Sequence, residues 1–256
     1  MRRVIFNQKG GVGKSSIASN LAAISAHHGI PTLLVDLDPQ GNASQYLLGD
    51  DFDEIGVDAC DLFGDLIKFG LGDRDSIDYV SDTVFPDLSV LASSPDLYEL
   101  EAKLSAKHKI YKLREALIGL EKEFDAIYID TPPAFNFFSL SALIAAQGCL
   151  IPFDCDDFSR RSLYQLIENV EETRGDHNDE LHVEGIIINQ FIARAKLPRT
   201  LVDELCDEGL PVLGTKLSSS VKMKESHEQA MPLIHLAPRH KLTCEYVALF
   251  EELEAA

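Results

Sequence analysis

Residues Lys9-Gly10-Gly11-Val12-Gly13-Lys14-Ser15 decide how this chain folds. A loop of the form G-x-x-x-x-G-K-[ST] wraps phosphates in glycine-rich backbone. It sends its lysine to the β and γ oxygens and gives its hydroxyl to magnesium. Gly13, Lys14 and Ser15 keep the essential end of that pattern, while Lys9 alters its first half. A second cation has little to neutralise in a loop that already holds Lys14 and a metal. Lys9 makes better physical sense if it reaches another nucleotide, across a dimer.

The flanks fit such a loop. Arg3 to Phe6 is a short apolar run with β-branched residues, as a buried first strand requires. Beyond the loop, Ile17, Leu21 and Ile24 fall at helical spacing, so the phosphates meet a helix N-terminus with its unpaired N–H groups and favourable dipole. Pro31 to Asp36 predicts a second strand that runs into Asp36-Leu37-Asp38-Pro39-Gln40-Gly41-Asn42. Carboxylates and turn formers at a strand's C-terminal end sit at the rim where α/β proteins bind ligands. Ala126 to Asp130 predicts another strand, ending in Asp130 before Thr131-Pro132-Pro133. An aspartate there, beside a phosphate loop, is the usual outer support of the magnesium.

Leu88 to Ala92, Cys149 to Pro152 and Gly185 to Asn189 read as further strands, and Leu97 begins a helix that runs towards Leu120 with a break. The alternation implies an α/β fold: a mostly parallel twisted sheet with helices on both faces. With 256 residues and 45% hydrophobic content, the chain is expected to form a single domain over 1–256. Residues 49–83, acidic and glycine-rich (Gly49 to Glu54, then Gly70-Leu71-Gly72-Asp73), read as an excursion from the core with a short helix near Ala59 to Phe69. No apolar run reaches the ~18 residues of a membrane span. The N-terminus enters a strand at once, which speaks against a signal peptide. Cysteines 60, 149, 155, 206 and 244 form no C-x-x-C pair and read as reduced, mostly buried thiols in a cytoplasmic protein. His27-His28 reads as helix-end or surface residues, not as metal ligands.

The three motifs, Asn7 to Ser15, Asp36 to Asn42 and Tyr128 to Pro133, resemble those of the ParA/MinD group of deviant P-loop ATPases, in particular the short Soj-like ParA proteins. Weaker similarity runs through Pro152 to Leu163 and Val221 to Pro232. The resemblance implies ATP and Mg2+ as cofactors. It places Gly10, Gly11, Val12, Gly13, Lys14, Ser15 and Ser16 around the phosphates, with Ser15 ligating magnesium and Asp130 supporting it. By the same resemblance Asp38 positions the attacking water beside the metal, and Lys9 reaches the partner subunit's nucleotide in an ATP-dependent homodimer. Phosphoryl transfer to water needs little beyond that: charge neutralisation and an oriented nucleophile. Asp36 either serves the metal site or caps its turn. Asn189 either contacts adenine or holds a turn.

There are departures from the family. Ser15-Ser16 replaces the commoner Thr-Thr, and either hydroxyl can bind magnesium. Ala134-Phe135-Asn136-Phe137-Phe138 stands where small residues and a glycine are usual, packing either in the core or on a dimer or partner surface. The match is loose over Asp154 to Ser162.

A net charge of −19 works against DNA, whose affinity for proteins comes mainly from neutralised phosphates. The charge is uneven, however: Arg194 to Lys241 carries eight basic and six acidic residues, leaving −21 to the remainder. Lys222 aligns with a basic residue that binds DNA non-specifically in ParA proteins, with Lys224 beside it, and an ATP dimer doubles that patch. The resemblance thus implies a slow ATPase that binds DNA when ATP-bound, so associating with the nucleoid, and is stimulated by a ParB-like or cargo-adaptor protein. It would segregate a plasmid or chromosome locus. The alternative is a ParA-like positioner of a protein assembly, such as a chemotaxis cluster or a secretion or polysaccharide machine, with DNA as a track or not used. A MinD-like membrane ATPase would end in a basic amphipathic helix, whereas Glu245 to Glu254 is acidic. No polar set for a metabolic ligase and no cluster-cysteine spacing for a nitrogenase-type reductase stands out.

Overall fold

The computed structural model describes residues 1–67, 74–154, 159–192, 194 and 196–255, without the side chains of residues 159, 196 and 197. Phe69, the Gly70 to Asp73 run, Cys155 and the rest of 155–158 lie outside the described residues. The strands are β1 (Arg2–Ile5), β2 (Thr32–Asp36), β3 (Ser81–Asp82), β4 (Leu88–Leu91), β5 (Ala126–Asp130), β6 (Gly148–Asp154), β7 (His182–Phe191) and β8 (Val212–Ser218). They form one sheet in the order β3-β4-β2-β5-β1-β6-β7-β8, parallel throughout except for the short antiparallel pair β3–β4. The helices are α1 (Lys14–His27), α2 (Asn42–Leu48), α3 (Ala59–Ile67), α4 (Leu97–Ala106), α5 (Lys112–Leu120), α6 (Phe137–Ala145), α7 (Ser159–Asp176), α8 (Lys196–Asp207), α9 (Val221–Glu228), α10 (Leu233–Leu236) and α11 (Lys241–Glu254).

Strand alternation divides the core in two. Val4, Phe6, Leu33, Val35, Ile127 and Ile129 face α3 to α8. Ile5, Leu34 and Tyr128 face α1, α2, α10 and α11. Burial of one such Leu or Ile side chain contributes about 2 kcal/mol, so both sheet faces are held firmly.

The helices end where their sequences direct. His28 caps α1, its ring nitrogen Nδ1 2.8 Å from the Ile24 carbonyl. Gly29 then turns the chain out at φ +75°. The helix expected from Leu97 to Leu120 is two helices, broken where His108 takes φ +52°. In α11, Leu242, Tyr246, Leu249, Phe250 and Leu253 form a buried stripe, so its apolar face belongs to the core. Among the described residues no helix is long and apolar enough to cross a membrane.

Two expectations need correction. Part of 49–83 belongs to the core: Ala59, Leu62, Phe63 and Tyr79 are buried in it, because acidic residues alternate with a strongly apolar helix face, whereas Gly49 to Glu54 buries no residue. Nor are the thiols mostly buried. Of the four described cysteines, Cys149 is buried and Cys60 half-buried, but Cys206 and Cys244 lie on the solvent sides of α8 and α11.

Candidate phosphate and metal site

Strands β2, β5 and β1 are neighbours, so their C-terminal ends bring three sequence-distant motifs to one rim. Asp36 stands opposite Asp130, and Asp130 opposite Ile5, the last residue of β1. The loop climbs over this rim with Gly11 at φ +76° and Gly13 at φ +91°, conformations that glycine alone adopts at little cost.

Lys14, Ser15 and Ser16 open α1 and line a cavity of about 320 Å3 with Gly10, Gly11, Gly13, Asp38 and Pro133. Lys14 is buried, and its Nζ donates to the Lys9 carbonyl at 3.1 Å. Burial lowers its pKa, while Asp130 and Asp38 favour the charged ammonium. Lys9 is exposed at the loop's front, where its amide donates to Asn7 Oδ1. It lines a separate cavity with Asn7, Phe153 and Leu166. The two lysines therefore diverge: one points into the phosphate cavity, the other lies outside it.

The carboxylates differ in their partners. Asp36 accepts from the Asp38 amide and from the Ser44 amide and hydroxyl, which ties its turn to α2. Burial nevertheless pushes its pKa up to about 6. Asp38 accepts from the Gln40 amide at 3.0 Å; burial raises its pKa, opposed by that amide and by Lys14. Asp130 is raised well above the ordinary carboxylate value, by burial first and the Asp36 charge second, against a hydrogen bond from Ser15 and the charge of Lys14.

The structure thus sets three buried carboxylates against one ammonium, and Asp130 Oδ2 has no hydrogen-bond partner. A divalent cation fits that donor set, hard oxygen ligands around an unbalanced negative charge. Ser15 and Asp130 would hold it beside Asp38.

A family model for the AAA domain matches residues 3–183. The chain is 34% identical over 253 residues to the chromosome partitioning protein ParA of Myxococcus xanthus, covering 97% of this chain and 86% of that one. It is 30% identical to the sporulation initiation inhibitor protein Soj of Bacillus subtilis, covering 98% and 97%. This chain belongs to the ParA/MinD-type P-loop ATPases. Its fold matches that of cobyrinic acid a,c-diamide synthase from Mycobacterium smegmatis, solved with an ATP analogue and magnesium, at TM-score 0.82 and 25% identity over 98% of this chain and 92% of that one. ATP and Mg2+ are the cofactors of this ParA-type site.

The remaining expected residues fall around the same ParA-type loop. Asn189 lies within β7, and its side-chain amide donates to the Val12 carbonyl at 2.8 Å, while Gln190 donates to the Gly11 carbonyl. Asn189 thus braces the phosphate loop, a contact distinct from both roles that the sequence left open. Beside it a second cavity of about 210 Å3 is lined by Gly11, Ser16, Asn189, Lys224 and Tyr246. Lys222 and Lys224 share α9, with Lys224 exposed and Lys222 ion-paired to Glu225. Phe135 to Phe138 divides: Phe137 and Phe138 are buried, whereas Phe135 is exposed and meets Phe6 edge-on.

Three site residues escaped the sequence reading. Gln40 and Asn42 line the phosphate cavity, and Asn42 opens the helix that follows Asp38. His227 enters the cavity from α9, its Nε2 2.8 Å from Ser16 Oγ. Its only sequence signal was its place in the weakly similar Val221 to Pro232 segment.

Proposed function

We propose that this chain is an ATP-hydrolysing switch that dimerises with ATP, binds DNA without reading sequence, and partitions or positions DNA cargo. One observation carries the reading. Lys14 and Asp38 line the phosphate cavity and Asp130 lies buried where its charge acts on Lys14, while Lys9 stands outside the cavity at the front of the loop. The name of the M. xanthus relative, a chromosome partitioning protein, supports the chromosomal role.

In this reading residues 1–256 act as one domain. Lys14 and the backbone N–H groups of Gly10 to Ser16 neutralise the charge that develops on the transferred phosphoryl group. Asp38, anchored by the Gln40 amide, orients the attacking water. Ser15 and Asp130 would hold magnesium, which would supply further charge neutralisation for the phosphates. The cavity beside Asn189 takes the nucleoside. Lys9 of each subunit reaches the other's nucleotide, so ATP closes the dimer and hydrolysis opens it. The dimer pairs two α9 helices with their Lys222 and Lys224. A ParB-like or cargo-adaptor protein accelerates hydrolysis, and the ATP form associates with the nucleoid in the cytoplasm.

A second reading has its own support. The net charge of −19 and the pairing of Lys222 with Glu225 both oppose a strong DNA footprint, which favours a positioner of a protein assembly. Binding to non-specific duplex with ATP, ADP or neither, at low and moderate salt, separates the two. The DNA reading expects ATP-dependent, salt-sensitive binding that is enhanced in Asp38→Ala and lost in Lys222→Glu. Dimers that form with ATP yet bind no DNA in any state would overturn it in favour of a protein-only switch.

A further inference from the structure

α9 and the α10 that follows it are fastened to the phosphate site at two levels. At the first, His227 Nε2 meets Ser16 Oγ at 2.8 Å, in the first turn of α1. At the second, Asn20 one turn later donates to the Ser16 carbonyl at 2.8 Å and accepts from the Leu233 amide at 2.9 Å, at the start of α10. The imidazole is also clamped sideways. It stacks on Tyr46 with ring centroids 4.2 Å apart and planes within 25°. The Tyr46 hydroxyl hydrogen-bonds the Ser226 hydroxyl on the same α9. His227 therefore cannot turn away from Ser16 without disturbing Tyr46, Ser226 or the helix itself.

Ser16 stands where a phosphate would approach the N–H groups of the first helical turn, and both Ser16 and His227 line the phosphate cavity. A bound phosphate oxygen and the imidazole compete for one hydroxyl, or share it. Burial lowers the pKa of the imidazole and so favours its neutral form.

We propose that His227 is a nucleotide-sensing residue: phosphate at Ser16 displaces or captures its Nε2, and because the ring is clamped on Tyr46 of α2 the movement is taken up by α9 itself. The inference rests on this cavity being the nucleotide site, and it extends that reading to regulation. It does not depend on what α9 binds. It supplies a route by which nucleotide changes the presentation of Lys222 and Lys224 within one subunit, apart from any pairing of two subunits.

The test is hydrogen exchange at residues 221–228 with and without ATP or ADP, alongside the affinity of a fluorescent ATP analogue, in wild type, His227→Ala and His227→Gln. Thermal melting establishes that each variant folds. The wild type is expected to change its α9 exchange severalfold on nucleotide binding. His227→Ala is expected to change nucleotide affinity by up to about tenfold, the scale of one hydrogen bond, weaker where phosphate captures Nε2 and tighter where it displaces it, and at saturation to lose the α9 response. His227→Gln, whose amide can reach the same hydroxyl, should restore part of it. An α9 response in saturated His227→Ala equal to that of wild type would overturn the inference, as would a wild type that binds nucleotide with no change in α9. A wild type that binds no nucleotide would instead overturn the nucleotide-site reading, and the inference with it.

Discussion

Asp36 and Asp130 stand in register on the neighbouring strands β2 and β5, both without solvent exposure. Burial raises both pKa values, that of Asp36 to about 6, and the charge of Asp36 raises Asp130 further. A carboxyl with a folded pKa above its unfolded one makes the folded state the better proton binder. Stability is then lost as pH rises from the unfolded value towards the folded one. In the nucleotide-free protein these two groups should cost stability from near pH 4 to about pH 6 and above. Asp130→Asn removes one of the two charges while keeping the shape. It should raise Tm at pH 7.5, and raise it less at pH 5, where the carboxyl of the parent protein is closer to its protonated form. A lower Tm at pH 7.5 would contradict this reading of the pair.

The two left-handed glycines of the loop should behave differently. A Cβ on Gly13 would lie 2.4 Å from Asn189 Nδ2, whereas one on Gly11 meets open space. Gly11→Ala carries backbone strain of about 1 kcal/mol. Gly13→Ala adds the displacement of the Asn189 brace and should lower both Tm and nucleotide affinity more, the latter by at least about tenfold. Denaturant melts and nucleotide titrations of the two variants check the order, and equal effects would count against the brace.

Asp38→Ala should retain ATP binding but hydrolyse it at least about a hundredfold more slowly, the scale expected when a water-orienting group is lost. Single-turnover measurement of phosphate release separates that loss from weaker binding. Wild-type rates in this variant would remove Asp38 from the chemistry.

The fold was legible where chemistry and hydrophobicity coincide. β1, β2 and β5 are short apolar runs that end at the loop, Asp36 and Asp130, so one reading places both the strand and the site. β8 was not legible. As an edge strand it is only partly buried, with Leu217 its one fully buried residue, and its pattern is not that of a continuous apolar run. The break between α4 and α5 was expected but could not be placed, because no proline or glycine marks it. His227 was hidden for a different reason: α9 is mostly polar, and a histidine among lysines and glutamates gives no periodic signal that it points inward. The Phe135 to Phe138 run resolved through its cap, Asn136, whose side chain accepts from the Phe138 and Ser139 amides and starts α6 there.

Lys222 is half-buried and paired with Glu225 one turn along α9. Exposed i,i+3 pairs are worth only a few tenths of a kcal/mol, so the pairing mutes the lysine's field more than it stabilises the helix. Glu225→Gln should therefore leave Tm within about 2 °C while strengthening ATP-dependent DNA binding severalfold at low salt. Its salt slope should steepen with the added phosphate contact. Fluorescence anisotropy with a labelled duplex measures both, and unchanged affinity would argue that α9 does not meet DNA.

The central claim is that Lys9 acts across subunits while Lys14 acts within one. The most direct measurement is the mass of the protein in solution with ATP and Mg2+, by sedimentation or light scattering, in an Asp38→Ala background with and without Lys9→Ala. The account predicts a stable dimer with Lys9 present and monomer with Lys9→Ala, while a fluorescent ATP analogue still binds the latter within a few-fold. ATP-dependent dimers that form equally well without Lys9 would contradict it.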